Sequence, residues 1–301
     1  MATTTPAGAK PARSAAVVGS LWMLGAVASF VSMAVAGREL SGSMSVEAIL
    51  FWRSLVGLLC MIPIVWRDGG PRAFMTSRPG GHLWRNIVHF TGQFGWFYGI
   101  VHVPLALMTS FSMTLPFWGA ILAAIFLKER LGGGRLAMIL IGFLGVLVIV
   151  QPGVAPVNHA VFVGLGGIFC YAASAIMVKV LSRTESANSI VFWMMVMQTP
   201  MALALAWNQL AWPSLADLPW VVLVGVTGVT AHSCLTRALS KADAAVVLPV
   251  NFVQLPIMAL IGILAYGEVL DPWTVAGAAL ILAANWWNVR REARKAAAAK
   301  P

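Results

Sequence analysis

The side chains with binding chemistry in this sequence sit inside long apolar runs. Asn86, His89, Gln93 and Trp96 follow one another at steps of 3, 4 and 3 residues, the spacing that places them on one face of a helix. Such a stripe offers amide, imidazole and indole groups to a solute in a cavity, or else it bonds neighbouring helices together. A second concentration lies at Asn251 and Gln254, between Pro249 and Pro256. Amides facing lipid are costly, so this pair is expected to line a cavity or to hold helices together. Ser110 and Thr114 lie one turn apart ahead of Pro116, whose missing N–H frees a carbonyl near position 112 and invites a kink. Trp22 with Gly25, Ser29 and Ser32, and Tyr171 with Ser174, complete the candidate wall; the small residues among them equally serve close helix packing.

None of this is reaction chemistry. No Asp or Glu falls in the middle of an apolar run, and no nucleotide-binding loop, zinc-ligand spacing or catalytic dyad is present, so no enzyme, resident cofactor or metal is expected. Cys60, Cys170 and Cys234 are scattered without ligand spacing and read as small packing residues. Arg53 is the strong cation well inside a run; it is expected to snorkel outward, to pair with Glu47, or to bind a carboxylate. His89 can titrate near neutral pH. Without a mid-span carboxylate, facilitated diffusion, exchange or coupling through His89 are the modes left.

Composition sets the elements that must position these groups. Hydrophobic residues make up 59% of the chain and charged residues 10%, too little polar surface for a soluble fold. A helix needs about 20 apolar residues to cross a hydrocarbon core of roughly 30 Å. Ten windows of about that length are present, at 17–36, 46–66, 83–103, 105–127, 134–150, 160–181, 188–208, 217–238, 243–266 and 273–289. The alternation of a membrane barrel is absent, which makes the fold an all-α bundle. The first run follows basic residues but no cleavage site leads into a soluble domain, so it reads as a retained helix.

The net charge of +10 points to lipid rather than nucleic acid because of where the charges fall. With a cytoplasmic N-terminus, 18 of the 20 Lys and Arg residues lie on cytoplasmic segments, the bias that orients membrane proteins. Both termini are therefore expected inside a bacterial-type inner membrane. Residues 1–16, rich in Ala, Thr and Pro, read as a disordered tail, and 290–301 as a basic tail that meets anionic headgroups.

The stretches 105–131 and 244–270 share a layout, with Pro116 lying 13 residues before Glu129 and Pro256 lying 12 before Glu268. Phe30, Arg38 and Phe51-Trp52 are echoed 141 residues later by Tyr171, Lys179 and Phe192-Trp193, and Glu129 is echoed 139 residues later by Glu268. The chain is thus two homologous five-helix units, 17–150 and 160–289. Five is odd, so the second unit is inverted. The cations flanking Glu129, at Lys128 and Arg130, are missing around Glu268, as inversion requires. Both glutamates close their runs and are expected to cap or pair. Inverted repeats characterise secondary transporters, which hold their substrate near the midplane between the repeats.

The residues Phe51-Trp52-Arg53, the run from Pro116 to Lys128-Glu129-Arg130-Leu131, its partner from Pro256 to Gly267-Glu268-Val269-Leu270, and Gly142, Gly145 and Gly277 together carry a resemblance. Over 17–289 the chain resembles the EamA type of the drug/metabolite transporter superfamily. That resemblance implies alternating access through a cavity between helices 1–4 and 6–9, with helices 5 and 10 at the periphery or in a homodimer. It implies a small organic substrate, with YddG-type amino-acid exporters among the members and others handling nucleosides, vitamins or quaternary amines. Export of amino acids, aromatic or large apolar ones included, is the leading expectation. A carrier of another metabolite class, an intramembrane enzyme and a structural bundle are the alternatives. Two departures stand out: Met194 occupies the place that answers to Arg53, and Gly132-Gly133-Gly134 replaces a polar-Pro link.

Overall fold

A computed structural model of the chain describes residues 12–128, 131–153, 158–242 and 244–298, and its long elements are all α-helices. In order they are α1 (Ala12–Leu40), α2 (Val46–Arg67), a 3₁₀ turn (Pro71–Phe74), α3 (Pro79–His102), α4 (Leu105–Ser112), α5 (Leu115–Phe126), α6 (Gly133–Val150), α7 (His159–Leu181), α8 (Ala187–Ala206), α9 (Leu218–Lys241), α10 (Ala244–Asn251), α11 (Gln254–Tyr266) and α12 (Pro272–Ala298). The pairs α4 with α5 and α10 with α11 are each one span broken near its middle, so the described helices make ten spans. Eight of these are long and apolar enough to cross a membrane. The others are α3, which carries the polar stripe, and α12, whose last turns hold Arg290, Arg291, Arg294 and Lys295.

Both expected tails are shorter than the sequence suggested. The first helix starts directly after Pro11, so residues 12–16 are helical; nothing beyond that proline breaks a helix. At the other end α12 runs on to Ala298, because Arg, Glu, Ala and Lys in this segment all favour helix.

The packing follows the repeat. α1 lies along α9 and α3 along α7, and these two pairs exchange when the repeats are exchanged. α2 packs on α8 and α6 on α12, each a helix against its own repeat mate. Burying apolar surface gives little drive between helices in lipid, so close backbone approach at small residues supplies the contact. A Cβ on Gly145 would lie 2.8 Å from the Gly277 carbonyl, and one on Gly277 would press on the Gly145 carbonyl and on Ile149. Gly145 and Gly277 therefore join the fifth and tenth spans within one chain, while Gly142 makes room for Phe117 of α5. Gly277→Leu is expected to destabilise the protein by about 1–3 kcal/mol through overpacking, read as a lowered Tm in detergent.

The breaks fall where the prolines predict. Pro116 is the second residue of α5, where the missing N–H has no acceptor to lose. In the break just ahead of it the Met113 carbonyl accepts from Asn285 Nδ2 of α12 at 2.8 Å. In the second broken span, Pro249 lies in α10 and Pro256 is the third residue of α11.

Candidate functional site

The polar stripe of α3 faces the interior. Asn86, His89 and Gln93 are all buried, and so is Arg85 beside them. Around them stand Tyr171 of α7, Gln198 of α8, His232 of α9, Arg53 of α2 and Phe30 of α1. The His89 ring lies edge-on to Tyr171 with centroids 5.0 Å apart and to His232 at 5.6 Å, and Phe30 meets His232 at 5.9 Å. Gln198 Nε2 donates to His89 Nδ1 at 2.9 Å; Nδ1 being the acceptor, the neutral ring carries its proton on Nε2, free to donate elsewhere. Asn86 Oδ1 accepts from Arg85 Nη1 at 2.9 Å and from Gln198 Nε2 at 3.4 Å, while Asn86 Nδ2 donates to the His82 carbonyl at 2.9 Å.

Many polar atoms here have no partner within the described protein. Both amide atoms of Gln93, Oε1 of Gln198, Nε and Nη1 of Arg53, Nε of Arg85 and the hydroxyls of Ser54 and Ser174 are buried without a hydrogen bond. Each such group costs about 1–3 kcal/mol. They come from α2 and α3 in one repeat and α7 and α8 in the other, so the seam between the repeats holds a buried polar cluster.

Arg53 neither snorkels nor pairs with Glu47. Its side chain is 1% exposed, and among the described residues no carboxylate pairs with it. The reason is packing: α2 is covered by α8 and α9 together, which leaves the side chain no path to an end. A Cβ on Gly228 of α9 would sit 3.0 Å from the guanidinium, so the glycine makes its room. Arg85, counted above with the cations of a cytoplasmic loop, belongs to α3 because that helix begins at Pro79.

Other expected residues are placed elsewhere. Ser110 and Thr114 donate to their own helix carbonyls, Ala106 at 2.8 Å and Phe111 at 2.6 Å, the nearest acceptors available in lipid. They therefore do not present a free proton to a cavity. Trp96 donates to Ser112 Oγ at 3.2 Å and pins α3 to α4. Trp22 lies under the Arg237 guanidinium, 4.8 Å away, at one end of the bundle. Asn251 and Gln254 flank the break between α10 and α11, and among the described residues no hydrogen bond joins them to the His89 cluster. The broken spans meet through α4 and α11, while α10 packs on α1. Gln198 and His232 were missed because their polar neighbours, Thr199 and the hydroxyl residues Thr227, Thr230 and Ser233, set no stripe of amides or rings at the helical period.

Both ends of the seam are tied. At one end Arg38 Nη2 meets Glu268 Oε1 at 3.1 Å and donates to the Val103 carbonyl at 2.7 Å, while Glu268 Oε2 accepts from the Leu105 N–H at 2.8 Å. Tyr266 also donates to Glu39 at 2.8 Å. Glu268 thus both pairs and caps. Glu129 and Arg130, its counterpart and neighbour in the first repeat, lie outside the described residues. At the other end Glu185 accepts from Thr76 at 2.5 Å and from Ser189 at 3.2 Å, and Asn188 donates to Asp68 at 2.6 Å. The Asn188 hydrogen bond and then the Arg67 guanidinium hold the Asp68 carboxyl below its ordinary range. That tie is complete above the ordinary carboxylate value and is lost as pH falls through the depressed one. With Thr76, Asp68, Arg38 and Leu105 in the first repeat and their partners in the second, the seam is tied at both ends.

The EamA-like transporter family model matches the chain twice, over residues 17–151 and 158–290. The chain is 33% identical over 286 residues to a riboflavin transporter of Rhizobium johnstonii, covering 94% of both proteins. It is 30% identical over 252 residues to the pseudopaline exporter CntI of Pseudomonas aeruginosa, covering 82% of this chain and 87% of that one. A crystal structure of a protein 15% identical in sequence superposes with a TM-score of 0.66 over 94% of this chain and 99% of that chain, a likeness of fold. Matched once for each of its inverted repeats, this multi-pass membrane protein belongs to the EamA-like transporter family, carriers of small metabolites rather than enzymes.

Proposed function

We propose that the protein moves its solute by exposing the chamber around His89 alternately to the two sides of the membrane, and that a hydrogen-bonding aromatic metabolite fits that chamber. The observation that carries this is the set of unpartnered buried atoms on Gln93, Gln198, Arg53 and Arg85, which a solute satisfies on entry. The rings of Phe30, Tyr171, His89 and His232 add faces and edges for a planar molecule. Riboflavin, the solute named for the Rhizobium relative, is of that kind. The distribution of basic residues supports cytoplasmic termini, with the Arg38–Glu268 end outside.

Amino-acid export is the second reading, supported by the family resemblance. It asks for a partner to the ammonium group, and among the described residues no carboxylate joins the cluster. Uptake into proteoliposomes separates the two. Labelled riboflavin is expected to enter saturably, and Gln93→Ala to slow entry at least tenfold at equal protein. Tyrosine counterflow without riboflavin uptake would establish the amino-acid reading instead.

A further inference from the structure

The chamber contains more positive charge than its solute-binding role explains. Arg53 is 1% exposed and Arg85 is 5% exposed. Each guanidinium lies within electrostatic reach of the other, of Tyr171 and of the imidazoles of His89 and His232. Arginine keeps its proton in proteins. An isolated buried charge is among the most costly things a fold can hold, and membrane interiors raise that cost. Glu185 accepts from Thr76 and Ser189 at the end of the bundle. Neither guanidinium is therefore neutralised by a described side chain.

The arrangement around the two arginines is that of a built site. Arg85 is held in place through Nη1 by Asn86, which leaves Nε unpartnered. Arg53 has Nε and Nη1 unpartnered, donors on two different sides of the guanidinium that are each open to an anionic oxygen. Gly228 keeps side-chain carbon off the guanidinium. The orienting contacts run through Gln198 to His89, so an anion bound here would be coupled to the rings that face the solute.

We infer that Arg53 and Arg85 together bind a compact anionic group, a carboxylate or phosphate, inside the transport chamber. This rests on the chamber being the transport site. An anionic solute brings the group itself, whereas a neutral one such as riboflavin binds together with a small inorganic anion.

Equilibrium binding to the purified protein in nanodiscs tests this with three probes: riboflavin, riboflavin 5′-phosphate and inorganic phosphate, in a buffer otherwise poor in small anions. Two results support the inference. Riboflavin 5′-phosphate binds at least tenfold tighter than riboflavin, which makes the solute the source of the anion; or added phosphate tightens riboflavin at least tenfold, which makes the source a separate ion. In either case Arg53→Gln is expected to abolish the tenfold difference and Arg53→Lys to restore part of it. Gly228→Ala, which brings a methyl to 3.0 Å from the guanidinium, gives the same loss with both cations retained should Arg53→Gln misfold. Riboflavin binding that neither a 5′-phosphate nor added phosphate tightens, or an anion preference untouched in Arg53→Gln and Gly228→Ala, overturns the inference. Saturable riboflavin uptake beside that result leaves the transport reading standing and defeats this one. Intact anion binding without transport of any solute does the reverse.

Discussion

Gly167→Ala is expected to lower the Tm in detergent by several degrees and to slow transport, while Gly166→Ala, one position away, leaves both unchanged or raises stability slightly. In a helix interior, alanine is favoured over glycine by about 1 kcal/mol, so propensity alone predicts a gain at both sites. Space decides otherwise. Nothing lies within 4 Å of a Cβ built on Gly166, whereas one on Gly167 meets the Gly92 carbonyl, the Gly95 carbonyl carbon and the Trp96 nitrogen at 2.9 Å each. All three are backbone atoms and cannot rotate aside as a side chain does. The helices must then separate, and overpacking of this kind costs about 1–3 kcal/mol, enough to outweigh the propensity gain. Separation also moves α7 relative to α3, and with it Tyr171 relative to His89. Thermal unfolding of the two variants beside uptake measurements checks the sign at each position. Equal stability of Gly167→Ala and the parent would show that α3 and α7 do not cross at this point.

What the sequence discloses, and what it withholds, follows from the same physics. Span ends are legible because lipid demands about 20 apolar residues per helix, and α2, α7 and α8 begin and end within two residues of the windows read from the sequence. The breaks near Met113 and Phe252 are legible because proline removes a donor. On α3 the polar face is legible because four residues repeat at the helical period. Partners across the seam are not, since Gln198, His232 and Arg53 have only small hydroxyl residues beside them in sequence, with no stripe at the helical period to give them a face. Counting cations by their distance from a span end put Arg85 with the cytoplasmic segments although the window 83–103 holds it, and α3 begins at Pro79, about one turn before that window. The amides at Asn251 and Gln254 show the same limit from the other side. Composition marks them as too polar for lipid, yet it does not say which neighbours their broken span takes, α10 on α1 and α11 on α4.

The second large effect is expected at Glu268, where Glu268→Gln should bias the protein toward opening at that end and reduce net transport at least tenfold. The local sequence aims this side chain. Gly267 ends α11 with φ of 63°, a left-handed turn that glycine adopts without strain, and the Glu268 N–H then bonds the Gly262 carbonyl at 2.9 Å. Gly262 has no side chain to obstruct the carboxylate that folds back over it. The Arg38–Glu268 pair is 18% and 10% exposed at its side chains, so it is neither a surface pair worth a few tenths of a kcal/mol nor a fully buried one worth about 3–5 when half is removed. Roughly 1–3 kcal/mol lies between those limits. Since about 1.4 kcal/mol is a tenfold change in an equilibrium, the balance between shut and open at this end moves on the order of tenfold or more. Glutamine keeps an acceptor for the Leu105 N–H, so the substitution isolates the charge from the cap. With a cysteine at Ser54, buried in the chamber wall, and the three native cysteines removed, a polar maleimide added from that side should label Glu268→Gln at least tenfold faster than the parent. Adding Arg38→Gln should slow labelling again, because removing both charges leaves no stranded cation. Labelling equal to the parent in the single variant would show that the ion pair does not hold the chamber shut, and labelling just as fast in the double variant would assign the closure to the glutamate's packing instead of to its charge.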